Sequence, residues 1–192
     1  MTSRPAVFID RDGTILVEKE YLADPARVEL IPDALDAMRS LRDAGFALVV
    51  VTNQSGIARG LYGLGQYRAV ERRLNELFAE AGLAVDATEF CPHHPEVTGP
   101  CDCRKPATGM HRRAAKALGI DFAGSYFIGD KITDVLPATA LGGQGILVRT
   151  GYGADSESGV PAGVWVVDDL AGAAGRVIAT VGGGGAGHGS EA

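Results

Sequence analysis

Apolar residues occur along this chain in short runs that end abruptly in polar or glycine-containing turns, and the stretches between the runs repeat every three to four residues. Residues 7–9, 46–51, 88–90, 125–128, 144–148 and 164–167 read as strands, the unbroken runs among them buried as in a parallel sheet. Ala34, Leu35, Met38 and Leu41 follow Pro32-Asp33 at helical spacing and stop at Gly45. Val70, Leu74, Leu77, Phe78 and Ala81 form one face over residues 64–81, ended by Gly82. Further helices are expected over 108–118, before Gly119, and over 169–181. Residues 16–31 keep no period and read as a loop or short hairpin, and 149–162, rich in Gly and Ser, as an exposed loop. Alternating strands and helices predict an α/β fold, a Rossmann-like open parallel sheet with helices on both faces. Such sheets bind ligands beyond the carboxyl ends of their strands, so the residues at those ends decide the chemistry.

The first run ends in Asp10-Arg11-Asp12-Gly13-Thr14. Two carboxylates facing one small volume suit phosphoryl transfer, in which one attacks phosphorus and the other handles the leaving-group proton. Their mutual repulsion calls for a divalent cation, and hard oxygen donors beside a phosphate point to Mg²⁺. A solvated turn is the plain alternative. The second run ends in Thr52-Asn53-Gln54-Ser55-Gly56, and the fourth in Gly129-Asp130-Lys131-Ile132-Thr133-Asp134. Arg104-Lys105-Pro106 precedes the 108–118 helix. Alone, Thr52 would be a helix cap and Lys105 a surface lysine.

In this order, Asp-x-Asp-Gly-Thr, a strand-end Thr, a Lys and Gly-Asp-x₃-Asp resemble the signatures of the haloacid dehalogenase-like phosphatases. The resemblance implies that Asp10 attacks phosphorus to form an aspartyl-phosphate and that Asp12 cycles the proton. Thr52 and Lys105 would hold the phosphoryl oxygens. Mg²⁺ would lie on Asp10, Asp130 and the backbone carbonyl of Asp12, with Asp134 reaching it through water or orienting Lys131.

All three cysteines fall within residues 91–103, as Cys91-Pro92-His93 and Cys101-Asp102-Cys103. An odd set argues against a disulfide framework. Three thiolates and an imidazole, Cys91, His93, Cys101 and Cys103, suit a closed tetrahedral Zn²⁺ site, unliganded thiols being the alternative. His94 is left outside it. This loop, the run from Val49 to Gly60 and Cys-Asp-Cys-Arg-Lys-Pro are similar to a zinc-loop subgroup of the same superfamily, whose members act on heptose bisphosphates or on histidinol phosphate. That similarity spans residues 6–167. It implies a small sugar bisphosphate as substrate, with histidinol phosphate the alternative, held by Glu18, Lys19, Glu20, Tyr21, Asn53, Gln54, Ser55, Arg104 and Lys131.

The 192 residues suit one domain, expected over 1–181, with the glycine-rich 182–192 disordered. The intervals between signatures leave no room for a large cap, so loops should roof the site and a monomer is expected. A net charge of −6 with no basic stripe argues against nucleic acid as a partner. No apolar run approaches the roughly 20 residues of a membrane span, and no charged-then-apolar leader opens the sequence, so a cytoplasmic enzyme is the expectation. A phospho-accepting signalling domain would also use a strand-end Asp, a Thr and a Lys. Asp12, a second acid placed to cycle protons, favours turnover over a lasting phosphoryl mark.

Overall fold

In the computed structural model, which describes residues 3–182, the apolar runs become β1 (Arg4–Ile9), β2 (Ala47–Asn53), β3 (Ala87–Cys91), β4 (Ile120–Gly129), β5 (Gln144–Val148) and β6 (Trp165–Val167). They form one sheet in the order β3-β2-β1-β4-β5-β6, every pairing parallel. The helices are α1 (Ala34–Asp43), α2 (Leu64–Glu80), α3 (Pro95–Thr98), α4 (Gly109–Leu118), α5 (Ile132–Leu141), α6 (Gly153–Ser156) and α7 (Leu170–Gly182). This is the α/β architecture expected from the sequence, and no described helix is long and apolar enough to cross a membrane.

Alternation along the strands divides the core in two. Val7 and Ile9 of β1, with Leu48 and Val50 of β2, face α1, α2 and α7 through Met38, Leu41, Val70, Leu74 and Val177. Ala6 and Phe8, with Ala47, Val49 and Val51, face the other way onto Met110 and Ala114 of α4 and Ala138 of α5. Because β1 is covered on both faces, its run carries no polar residue until it ends. Cys91 and Cys103 belong to the second core, so the cysteine loop is rooted in it.

Register sets the level of each strand end. Ile9 pairs with Val50 on one side and Ile128 on the other, and the Asp10 amide donates to Ile128 O at 2.9 Å. Asp10 therefore leaves the sheet beside Val51 and Gly129. Several boundaries differ from the sequence reading. Thr52 and Asn53 lie inside β2, because pairing with Phe90 and Cys91 prolongs that strand past its apolar run. The start of β4, mostly exposed, is held by Arg4 and Pro5 of β1. Residues 132–141 are helical, an element the sequence reading did not assign; α3 and α6 are short helices within the expected loops. Gly182 closes α7, and the expectation for 183–192 lies outside the described residues.

Candidate active site

Asp10, Thr52, Lys105, Asp130 and Asp134 come together at the carboxyl edge of the sheet, all buried. Lys105 is the hub. Its Nζ lies 2.6 Å from Asp10 Oδ1, 2.8 Å from Asp134 Oδ1 and 2.5 Å from the Val51 carbonyl. Asn53 sets the height of this lysine. The Lys105 amide donates to Asn53 Oδ1 at 3.0 Å, and Asn53 Nδ2 donates to the Lys105 carbonyl at 3.2 Å. The Asn53 amide, expected on the substrate, thus grips the backbone of the lysine; the Lys105–Pro106 peptide is cis.

Asp134, which the sequence reading placed on Lys131 or on metal-bound water, makes its ion pair with Lys105. Its Oδ2 accepts the Lys131 backbone N–H at 2.9 Å and caps the start of α5. Lys131 itself lies over the Tyr152 ring, 4.5 Å from its centroid, with Glu18 Oε2 at 3.4 Å.

Burial pushes the Asp10 carboxyl up to about 8, against the pull of Lys105, with Asp134 and Asp130 adding to the rise. Burial likewise lifts Asp130 to about 6, opposed by Lys131. Asp130 Oδ2 accepts the Tyr152 N–H at 2.8 Å, while its Oδ1 is buried without a partner. One carboxylate oxygen each from Asp10, Asp130 and Asp134 lies within 4.8 Å of the others. An orphaned buried oxygen among hard donors fits a divalent cation. The Asp12 side chain is not in that group. Arg11 holds it through Nε and Nη2 at 2.8 to 3.2 Å, and Gln54 Nε2 reaches it at 2.8 Å, so only its backbone carbonyl is left for a cation. Two glycines make the crowding possible. A Cβ on Gly13, at φ +85°, or on Gly151, at φ +56°, would stand 2.2 Å from Asp130 Oδ2.

The second cluster brings Cys91, His93, Cys101 and Cys103 together, one ligand atom of each within 4.8 Å of the others. His93 Nδ1 is 3.2 Å from Cys103 Sγ and 3.7 Å from Cys91 Sγ, and all three cysteines are free thiols. Burial opposes ionisation of Cys101, but backbone N–H groups of Arg104 and Cys103 and the neighbouring thiols bring it down to about 7. Three soft sulfurs and an imidazole at these separations fit Zn²⁺. His94 points away, its Nε2 2.7 Å from the Arg59 guanidinium.

Above the buried groups opens a cavity of about 550 Å³ lined by Asp12, Glu18, Glu20, Tyr21, Gln54, Ser55, Arg104, Lys105 and Lys131 among others. Glu20 and Tyr21 sit at φ 44° and 49°, a left-handed pair held by the Glu18 carboxylate, which accepts the Glu20 N–H at 2.8 Å. Each such non-glycine residue costs about 1 kcal/mol or more, strain that typically gathers at ligand clamps. Lys19 departs from expectation: its ammonium pairs with Glu29 at 2.6 Å and does not line the cavity. Half-buried Lys19 is taken up by the Glu29 carboxylate, while Glu18 and Glu20 line the cavity.

Sequence reasoning missed Arg11, Tyr62, Thr133 and Tyr152. Arg11 is the largest fully buried side chain, and the others line the cavity. Arg11 could have been suspected from its place between two acids; the rest arrive from distant loops.

The chain is similar to known proteins over nearly its whole length. A D-glycero-beta-D-manno-heptose-1,7-bisphosphate 7-phosphatase of Yersinia pestis is 43% identical over 175 residues, covering 88% of this chain and 93% of the relative. The protein of the same name from Pseudomonas aeruginosa is 40% identical, covering 92% and 99%. The chain belongs to the D-glycero-D-manno-heptose 1,7-bisphosphate 7-phosphatase family. It is accordingly a phosphoric monoester hydrolase. Residues 102–173 match the model of the HAD-hydrolase-like family. The crystal structure of a D,D-heptose 1,7-bisphosphate phosphatase from B. bronchiseptica, complexed with magnesium and phosphate, superposes with a TM-score of 0.84 at 34% identity, covering 92% of this chain and 99% of that one.

Proposed function

We propose that this member of the heptose bisphosphate phosphatase family hydrolyses the C7 phosphate of D-glycero-D-manno-heptose 1,7-bisphosphate, giving the heptose 1-phosphate for nucleotide-activated heptose synthesis. The observation that carries the reading is the Asp10 carboxylate, aimed from the end of β1, with Lys105 Nζ 2.6 Å away and the orphaned Asp130 Oδ1 in the same cluster. Asp10 attacks phosphorus, and the bond to the C7 oxygen breaks as Asp12 gives that oxygen a proton. Asp12 then takes a proton from the water that hydrolyses the aspartyl-phosphate, and Asp10 is restored. The Thr52 hydroxyl and Lys105 ammonium hold the phosphoryl oxygens. Asp10, Asp130 and the Asp12 carbonyl would hold Mg²⁺, which would supply charge neutralisation there. Ser55, Glu18, Glu20, Tyr21, Arg104 and Lys131, all on the cavity wall, are the proposed contacts to the sugar and its remaining phosphate. Cys91, His93, Cys101 and Cys103 would hold Zn²⁺, which would fasten the loop that carries Arg104 and Lys105. The reading includes a cytoplasmic monomer with no nucleic-acid or membrane partner.

Phosphate release in the presence of Mg²⁺ tests this, comparing both anomers of the heptose bisphosphate with histidinol phosphate. Preference for one heptose anomer is expected; preference for histidinol phosphate would overturn the substrate and leave the chemistry standing. Asp10→Asn should abolish turnover, a loss of at least about a thousandfold, and a variant retaining most activity would end the aspartyl-phosphate mechanism.

A further inference from the structure

Gln54 reaches the cavity wall, yet both N–H groups of its side-chain amide are engaged within the protein. One donates to Asp12 Oδ2 at 2.8 Å and the other to Thr52 Oγ1 at 2.9 Å. Its Oε1 accepts the hydroxyl proton of Tyr62 at 2.5 Å. Gln54 and Tyr62 are 3% and 5% exposed, so this chain of hydrogen bonds is shielded from competing water.

The consequence for Thr52 is directional. Its oxygen accepts from Gln54, which leaves its own O–H as the group to donate, and a phosphoryl oxygen needs a donor there. For Asp12 the consequence is a division of labour between its oxygens. Oδ2 takes the Gln54 N–H and the closest Arg11 contact, both at 2.8 Å, whereas Oδ1 has only Arg11 at 3.1 and 3.2 Å. Oδ1, touched only by Arg11 and at the longer distances, is the more loosely held of the two oxygens.

We infer that Gln54, anchored by Tyr62, is a positioning residue that aims the Thr52 hydroxyl and the Asp12 carboxylate through one side-chain amide, and that it does not hold the sugar. The inference rests on the roles proposed above for Asp12 and Thr52. An interaction used only in the transition state lowers kcat and kcat/KM together when removed, whereas a lost substrate contact raises KM and spares kcat. With D-glycero-D-manno-heptose 1,7-bisphosphate as substrate, Gln54→Leu should lower kcat and kcat/KM by a common factor of about thirty, with KM within about twofold. Tyr62→Phe keeps the ring and should lower the same two constants together by about fivefold. The double variant should fall no further than Gln54→Leu alone, because the two residues act through one amide.

A severalfold rise in KM with kcat kept in Gln54→Leu, or a kinetically silent Tyr62→Phe, would overturn the inference. If Gln54→Leu does not fold, Tyr62→Phe decides alone. Asp12→Asn run alongside separates the two layers: a variant with most of its kcat would refute the role of Asp12. An inactive Asp12→Asn beside a silent Tyr62→Phe would refute only the positioning role of Gln54.

Discussion

Lys105 sits between two buried carboxylates, and its charge pulls the Asp10 carboxyl down against a burial that still leaves it raised. Its own ammonium is opposed by the same burial, but Asp10 and Asp134 outweigh that and raise its pKa above the ordinary lysine value. Removing one partner of a buried ion pair leaves the other uncompensated, at a cost of about 3–5 kcal/mol. Lys105→Met, which keeps the apolar stem, should therefore destabilise the metal-free protein by roughly that amount, measured by urea unfolding. It should also reduce kcat by about a hundredfold or more through loss of charge on the phosphoryl oxygens. A variant as stable and active as the parent would mean that Asp10 and Asp134 find their counter-charge elsewhere.

At this scale the sequence was legible wherever a side chain stands immediately after an apolar run. Asp10 and Asp130 are readable because a strand's end is visible in one dimension. Lys19 and Glu29, by contrast, are joined by a bend in the 16–31 segment that carries no periodic signal, so the departure of Lys19 from the cavity could not be read. Asn53 and Gln54 read as polar turn residues; their partners, the Lys105 backbone, Asp12 and Tyr62, are tertiary.

Among elements, the cysteine loop has the clearest mechanical task. It leaves β3 at Cys91 and returns through Cys103 directly into Arg104 and Lys105, and Arg104 reaches back to the His93 carbonyl at 3.4 Å. Between its ends lie only α3 and extended backbone, with little apolar surface to order them. Structural Zn²⁺ typically contributes its binding energy to folding. Removing the zinc with a strong chelator should lower Tm by several degrees and depress kcat, both recovering when zinc is restored and not when Mg²⁺ is added. Unchanged Tm and kcat in metal-stripped protein would show that packing alone holds the loop. The helix α5 shows the opposite lesson in legibility. Ile132–Leu141 is mostly apolar but broken by Thr133, Asp134 and Thr139 and contains Pro137, so it offers neither an amphipathic stripe nor an uninterrupted run. It is helical because Asp134 caps the Lys131 N–H and because Val135 and Ala138 are buried against the sheet side.

For the molecule as a whole, a cluster of buried acids ties stability to pH and to cation. Asp10, raised to about 8 by burial, and Asp130, raised to about 6 by burial, hold protons in the metal-free fold that the unfolded chain would release. Their stabilising contribution is complete below about pH 4 and is lost as pH rises through about 6 and then about 8. A cation replaces those protons, and at a hundred times its dissociation constant it contributes about 2.7 kcal/mol. The rise in Tm caused by Mg²⁺ should therefore be larger near pH 8 than near pH 5, where protons compete for the same oxygens. Equal shifts at both pH values would mean that the cation binds without displacing protons from these carboxylates.

The cavity wall is built from strand ends and the connections that follow them, with Thr133 its contribution from α5. Such a wall has no hinged body to swing aside. In enzymes that close a domain over substrate, opening often limits turnover, and friction from the solvent then slows it. Here the limiting event should lie in bond-making or in a water molecule's attack, so kcat should stay flat as sucrose thickens the medium.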